Sequence, residues 1–142
     1  MIHPLCAAMI LLLAACVQAQ PVDAPPSPAE LRRWVDKECV SYGKRIGIDY
    51  RGALEGAIRG ESAGLAELFR YTVVGSLDGE AGESHASILF GLLQRWGDRR
   101  YAHVLRAQKR AVRKAVVDDL PLRPGGELKF PLTSALAHDH EH

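Results

Sequence analysis

Apolar residues recur at intervals of three and four along most of the chain beyond residue 28, which is the spacing of a helix that buries one face. The first of these stretches has a well-defined start. Ser27 and Glu30 form a capping-box pattern, with Pro28 at the first helical position. We expect this helix to end at Gly43. Its apolar face consists of Leu31, Trp34, Val35, Cys39 and Tyr42.

Five more helices follow in the same pattern, and their ends are marked by capping residues, glycine and proline. The predicted helices run from Asp49 to Gly60, from about Ser62 to Gly75, from Glu83 or Ser84 to Gly97, from Asp98 to about Ala107 and from Lys109 to Asp119. Residues 77–83 are predicted to form a loop, and 127–132 are the one segment in which a short strand is expected. The expected fold class is therefore all-α, a compact bundle of five or six helices, partly built of helical hairpins.

Four glycines in the second and third predicted helices are spaced by four residues, namely Gly52, Gly56, Gly60 and Gly64. A glycine inside a helix costs about 1 kcal/mol relative to alanine, so this helix pair is weak on its own. Two interpretations are open. Either the glycines let two helices approach closely, or several of them simply form caps and turns. From the sequence we favour caps and turns.

Residues 1–19 contain no Lys, Arg, Asp or Glu, and residues 5–17 form an unbroken apolar run. The run is shorter than the roughly 18 residues that a membrane span requires, and it has the length of the hydrophobic part of a secretory signal. We therefore predict that residues 1–19 are a signal peptide and that the protein is exported.

Two cleavage sites compete within this segment. The sequence Leu13-Ala14-Ala15-Cys16 resembles the lipobox of bacterial lipoproteins. That resemblance implies cleavage before Cys16, a lipid on its thiol and a membrane-anchored protein facing the periplasm; two or three acyl chains give a stable anchor. The alternative is ordinary cleavage after Ala19, which would release a soluble periplasmic or secreted protein.

The chain beyond the signal divides into three segments. Residues 20–28 include four prolines and are expected to form an extended, semi-rigid tether, or else an ordinary disordered N-terminus of the mature protein. Residues 29–121 are the predicted helical domain, which Pro121 ends. Residues 122–142 are a predicted C-terminal extension with a histidine-rich tail.

Two helical segments resemble each other, residues 60–70 and residues 97–106, in a pattern typical of helical-hairpin repeats. Residues 97–120 also resemble a single unit of the HEAT-type helical repeats. The residues that match that family's second helix are Val112, Arg113, Ala115 and Leu120. The turn departs from the family pattern, because no Asp-Pro or Asp-Asp pair precedes the second helix. The resemblance implies a helical hairpin and a protein-binding role, and it carries no catalytic residues.

The composition fits a single domain of this kind. The chain has 142 residues, of which 47% are hydrophobic and 25% charged. Its formal net charge of +1 argues against a nucleic-acid-binding protein that depends on a basic surface as a whole. We therefore expect no nucleic-acid partner.

The charge is nevertheless distributed unevenly along the chain. Between residues 95 and 114 there are eight basic residues and a single acid, Asp98. In the last predicted helix the basic residues come first and the acids last, which opposes the helix dipole, so local helix stability does not explain the arrangement. One interpretation is an ordinary solvated face, and the other is a surface for an acidic envelope protein or for anionic lipid headgroups. The candidate partner-binding residues are Arg106, Lys109, Arg110 and Arg113.

The chain ends with alternating histidines and acids. In an extended conformation His138, His140 and His142 lie on one side and could chelate Zn, Cu or Ni. A flexible tail holds its ligands loosely, so such a site would be weak and unselective. The alternative is a solubilising terminus without a metal. No other cofactor is expected.

The chain contains none of the common catalytic motifs, since it has no nucleophile elbow, no phosphate-binding glycine loop and no HExxH or CxxC sequence. His85 and His103 have no catalytic partner at a recognisable spacing, so we expect them to be structural. Cys39 is expected to be a buried, inert thiol. The leading functional prediction is a non-enzymatic, lipid-anchored protein-binding module of the bacterial cell envelope. The alternative is a metal-binding envelope protein that uses the histidine-rich tail.

Overall fold

The computed structural model describes residues 24–75, 78–122 and 125–138, and all regular structure within these ranges is α-helical. The all-α prediction is confirmed. The helices are α1 (Pro28–Arg33), α2 (Lys37–Arg45), α3 (Tyr50–Ile58), α4 (Ser62–Val74), α5 (Gly79–Trp96), α6 (Asp98–Arg106), α7 (Arg110–Asp119), α8 (Gly126–Lys129) and α9 (Pro131–Ala135). Among these helices, none has the length and hydropathy needed to cross a membrane.

The predicted first helix is in fact two helices, because a second cap interrupts it. Ser27 and Glu30 form the predicted capping box, in which the Glu30 amide donates to Ser27 Oγ at 3.2 Å and the Ser27 amide to the Glu30 carboxylate at 2.7 Å. The Asp36 carboxylate then accepts from the amide of Glu38 at 2.7 Å. Asp36 therefore starts α2 within the stretch predicted as one helix.

Two further predicted helix boundaries are displaced. Helix α2 continues through Gly43, and the chain turns at Gly47 instead, where φ is +78°. Gly43 lies against the carbonyl of Ile48, since a Cβ at this position would be 2.8 Å from that oxygen. Helix α5 begins at Gly79, earlier than predicted, so most of the predicted loop at residues 77–83 is helical.

The strand predicted at residues 127–132 is wrong, because helices α8 and α9 occupy this part of the chain. Pro131 takes the first position of α9, which suits its fixed φ. The carboxylate of Asp98, at the start of α6, accepts hydrogen bonds from the amides of Leu132 and Thr133, both at 2.8 Å. This long-range cap attaches α9 to α6.

One buried cluster joins helices α1–α7 and the end of α9. Its largest fully buried side chains are Tyr50, Tyr71, Tyr101, Phe69, Leu31, Ile48, Leu54, Leu65, Leu68, Ile88, Leu89 and Leu92. The cluster includes Leu136, at the end of α9, so the packed body continues beyond Pro121 into the predicted C-terminal extension. Trp34, predicted to lie on the buried face of its helix, is 40% exposed.

Helices α3 and α4 make the most extensive contact of the described helix pairs, and glycines form its closest point. A Cβ at Gly64 would lie 2.5 Å from the carbonyl oxygen of Ala53 and 2.7 Å from the nitrogen of Ala57, so the backbone of α4 lies directly on that of α3. Gly56 faces Gly64 across this contact. Our interpretation of the glycines as caps and turns is therefore wrong at Gly56 and Gly64, and it holds at Gly60, where φ is +84°.

Helices α6 and α7 do not pair as the HEAT-type resemblance implies. Helix α7 packs mainly on α4 and only slightly on α6, whereas α6 packs chiefly on α9 and α5. Among the consecutive helices of the described ranges, α3 and α4 make the most extensive contact. Residues 97–120 therefore do not form a self-contained hairpin.

The last residues of the predicted tether are docked on the helical body. Pro26 is buried beside Gly91 of α5, where a Cβ would lie 2.8 Å from Pro26 Cγ and 2.8 Å from Leu31 Cδ2. The carbonyl of Pro26 also accepts a hydrogen bond from Arg95 Nη1 at 3.2 Å. Residues 1–23, which include the predicted signal peptide, lie outside the described ranges.

We predict that Gly64→Ala lowers the free energy of unfolding by roughly 1–3 kcal/mol, the range expected when a tight contact is overpacked. The added methyl group would meet the backbone of α3, which cannot rotate away as a side chain can. Urea unfolding followed by circular dichroism measures the change.

Gly56→Ala is the matched comparison for this measurement. Its Cβ would be 3.1 Å from the carboxylate of Glu61, which is flexible, so we expect a smaller loss of stability than for Gly64→Ala. An increase in stability in Gly64→Ala, as helix propensity alone would give, would contradict the close contact of α3 and α4.

Candidate functional site

A recess of about 550 Å³ opens between the start of α4, the end of α5, the exposed side of α6 and the start of α9. We call it the basic pocket, because three arginines and a histidine line it. Its lining residues are Ser62, Trp96, Arg99, Arg100, His103, Val104, Arg106 and Leu132. A volume in this range is typical of ligand-binding clefts.

Helix α6 supplies most of the charge of the basic pocket. Arg99, His103 and Arg106 are separated by four and then three positions, which places them along one side of the helix. Other positions of α6 are buried in the core, namely Tyr101, Ala102, Val104 and Leu105. The packing of these apolar residues therefore fixes the row of basic side chains on the outside.

Arg100 is held between Trp96 and the turn at Gly60. Its guanidinium carbon lies 4.8 Å from the centroid of the Trp96 ring, within the range of a cation–π contact. The Trp96 indole N–H donates to the carbonyl of Ala57 at 2.9 Å, which fixes the ring against α3. A Cβ at Gly60 would be 3.5 Å from Arg100 Nη2, so the turn lies next to the guanidinium. Contacts within the protein therefore hold the Arg100 side chain in position.

The positive charge of the basic pocket is not neutralised by carboxylates of the described residues. None of them lies within 4.0 Å of Arg99, Arg100 or Arg106. Glu61 is in an ion pair with a residue that does not line the pocket, and Asp98 caps α9. The described ion pairs are Arg32–Glu55, Arg59–Glu61, Arg70–Glu67 and Lys114–Asp118. A recess with unbalanced positive charge attracts anionic groups.

Three of the four predicted partner-binding residues are exposed and one is buried. Arg106 lines the basic pocket, and Lys109 and Arg110 are exposed at the start of α7. Arg113 is only 8% exposed, and its Nη1 donates to the carbonyl of Gln108 at 2.6 Å. That carbonyl lies just beyond the end of α6, where the helix dipole favours a cation. Because this contact occupies the guanidinium inside the fold, Arg113 does not belong to the surface that the sequence predicted.

The other residues of the basic pocket could not be identified from the sequence. Arg99 and Arg100 lie in the basic segment, but nothing in the sequence distinguishes them from their neighbours. Trp96 and Leu132 come to the pocket through the packing of α5 and α9 on α6, for which the sequence gives no local signal.

Several predicted site residues lie outside the described ranges. These are the predicted lipidation site Cys16 and two of the predicted metal ligands, His140 and His142. The third, His138, is exposed just after α9. Within the described ranges, no three His, Cys, Asp or Glu residues come together as a metal site. Lipidation and metal binding therefore stay predictions.

His85 is buried in α5, and both of its ring nitrogens are hydrogen-bonded. Nδ1 lies 2.8 Å from the hydroxyl of Tyr50 in α3, and Nε2 lies 2.9 Å from the hydroxyl of Thr72 in α4. Burial lowers the pKa of His85 from 6.5 to about 3, so the imidazole is neutral at neutral pH. The ring connects three helices, which fits the structural role expected from the sequence. His103, in contrast, is exposed and lines the basic pocket.

Cys39 is fully buried, as the sequence predicts. Its thiol donates to the carbonyl of Ala81 at 3.4 Å, and burial raises the pKa of the thiol. A raised pKa keeps the sulfur protonated and therefore unreactive. The hydroxyl of Tyr71 also donates to the backbone carbonyl of Cys39 at 2.9 Å, which joins α4 to α2.

Comparisons with known proteins identify no relative of this chain. No protein-family model, no curated protein and no solved structure matches it.

We predict that the protein loses stability in mild acid because of His85. The unfolded chain takes up the imidazole proton near pH 6.5, whereas the folded protein takes it up only near pH 3. The stability due to this neutral imidazole is complete above pH 6.5 and decreases by up to about 1.4 kcal/mol per pH unit as the pH falls toward 3. Between pH 6.5 and about 5, carboxylates contribute little to the slope. Urea unfolding across that window measures it.

Two variants separate the effect of His85 from that of His103. His85→Gln removes the buried imidazole, so we expect a flatter dependence of the unfolding free energy on pH in the same window. His103→Gln removes an exposed imidazole and should leave the slope of the unmodified protein in place. If the slope of the unfolding free energy against pH flattened in His103→Gln and not in His85→Gln, the buried ring would not be the acid-sensitive group.

Proposed function

We propose that this protein is a non-enzymatic binding module that recognises an acidic partner protein. The contact would be made by the basic surface, which we define as Arg99, Arg100, Arg106, Lys109 and Arg110. The observation that carries the proposal is the set of guanidinium groups around a recess that no carboxylate of the described residues neutralises. Elsewhere in the described ranges, Arg32, Arg59 and Arg70 are paired with carboxylates, whereas Arg33 and Arg51 are exposed and in no ion pair. The clustering of three such arginines around one recess is therefore what distinguishes this surface.

A protein partner fits the shape of this surface better than a lipid or a nucleic acid does. Lipid headgroups form a flat layer that projecting basic side chains can contact, whereas the arginines of α6 line a recess with apolar walls. The net charge of +1 gives little long-range attraction for a polyanion. Local charge complementarity with an acidic protein surface speeds association and fixes the orientation of the partner.

We also propose that the protein acts in the bacterial cell envelope, exported by residues 1–19 and anchored through Cys16. The support is the resemblance of Leu13-Ala14-Ala15-Cys16 to the lipobox. A lipid anchor would hold the basic surface close to the membrane, which raises its effective concentration toward a partner in the same compartment.

The basic surface can be tested by crosslinking in intact cells. A photo-reactive residue at position 109 should capture an acidic envelope protein, which is then purified for affinity measurements. Replacing Lys109 and Arg110 with Gln should weaken that interaction roughly two- to thirtyfold at low salt, because exposed charges contribute about 0.2–1 kcal/mol each. Binding of the unmodified protein should also weaken as salt is added.

Lys37→Gln combined with Arg51→Gln is the matched control, because it removes the same charge from exposed positions on α2 and α3. This variant should bind like the unmodified protein. Equal losses in the two double variants, or an affinity independent of salt, would contradict recognition by the basic surface.

The anchor is tested by Cys16→Ser. We expect this variant to leave the membrane fraction, because the acyl chains that hold the protein there have no thiol to attach to. Fractionation of cells followed by immunoblotting makes the measurement. If the variant remained with the membranes, anchoring through Cys16 would be wrong.

A further inference from the structure

Three of the basic residues of the pocket lie in a row along one side of α6. Arg99 and Arg106 are seven positions apart on α6, which corresponds to about 10.5 Å along the helix axis, and His103 lies between them. The arrangement therefore fits a ligand that carries several negative charges in succession.

An extended peptide supplies charges at the required interval. Its side chains alternate between two sides, and those on the same side repeat about every 6.6 Å. Carboxylates at every second position would therefore follow the row from Arg99 to Arg106. Two of them lie within its length of about 10.5 Å, and three span about 13 Å, slightly more than that length.

The basic pocket also has an apolar wall. Leu132 at its rim is 45% exposed, whereas Trp96, which also lines the recess, is 8% exposed and has Arg100 over its ring. Leu132 is held over α6 because its own amide donates to Asp98. The side chains of an extended peptide that do not face α6 would meet this wall, where apolar residues would lose water-exposed surface.

We infer that the basic pocket binds an extended segment of the partner in which acidic residues alternate with apolar residues. The acidic residues would face Arg99, His103 and Arg106, and an apolar residue would pack against Leu132. This inference depends on the proposed function, because it names the part of the acidic partner that is recognised. The charge complementarity and the row geometry identify the occupant as a peptide segment.

The test compares three short synthetic peptides, two of which differ in pattern and not in composition. The probe is acetyl-Glu-Leu-Glu-Leu-Glu-amide with a fluorescent label, and its isomer is Leu-Glu-Glu-Glu-Leu with the same ends. A third peptide replaces both leucines with serine. Fluorescence anisotropy with the full chain should show the alternating peptide binding about tenfold or more tightly than the other two.

Variants of the pocket should change this preference in separate ways. Arg99→Gln combined with Arg106→Gln should weaken all three peptides about tenfold or more. Leu132→Ala should remove the advantage of leucine over serine and leave the serine peptide unaffected. Lys37→Gln combined with Arg51→Gln should bind all three as the unmodified protein does, and circular dichroism confirms that each variant is folded.

The outcomes distinguish this inference from the proposed function. The three peptides could bind equally well, with binding lost in the Lys109 and Arg110 double variant and kept in the pocket variants. That result would overturn the inference and leave the proposed function standing. The inference would also be overturned, and the proposed function left standing, if no peptide bound while the crosslinked partner still bound the basic surface. A third outcome would overturn both the inference and the proposed function. In that outcome the protein binds phosphatidylglycerol vesicles or oligothymidylate, and Arg99→Gln combined with Arg106→Gln loses that binding. The protein then binds neither the peptides nor a captured protein.

Discussion

The direct contact between the backbones of α3 and α4 is the constraint on which the rest of the molecule depends. Gly64 lies on Ala53 and Ala57 with no room for a side chain between them. This places the carbonyl of Ala57 where the indole of Trp96 donates to it. The Trp96 ring in turn supports the guanidinium of Arg100. The shape of the basic pocket therefore follows from a contact between two helices that contribute only one lining residue, Ser62, to it.

A buried polar cluster reinforces the same arrangement from inside the core. The imidazole of His85 lies between the hydroxyls of Tyr50 and Thr72, so a single ring joins α5 to α3 and α4. The ring of Tyr71 packs against both His85 and Tyr50 at 4.9 and 4.8 Å between centroids. Hydrogen bonds of this kind are directional, so the cluster specifies one mutual orientation of the three helices where apolar packing alone would permit several.

Features that depend on neighbouring residues could be predicted from the sequence. The capping box of Ser27 and Glu30 and the cap at Asp49 are examples, because the groups that bond are within three residues of each other. Features that join distant parts of the chain could not be predicted. The cap that Asp98 provides for α9 joins residues more than thirty positions apart, and it lies where the end of a strand was expected.

The same distinction applies to the basic pocket. The excess of basic residues between 95 and 114 was visible in the sequence and includes the arginines that line the pocket. The sequence did not show which of these basic residues are buried. Arg113 lies in the same segment as Arg106, but its guanidinium bonds to the carbonyl of Gln108 inside the fold. Charge alone does not reveal whether a side chain faces a partner or its own backbone.

The position of Cys39 has a consequence for the protein in an oxidising compartment. Cys39 is the only cysteine beyond residue 16. It lies in α2, where it is fully buried and its thiol contacts the carbonyl of Ala81 in α5. Two folded copies therefore cannot be joined through it by a disulfide. The sulfur becomes exposed only when α2 separates from α5. A disulfide between two copies would therefore form only between molecules that have opened in this way, and folded molecules would stay unlinked.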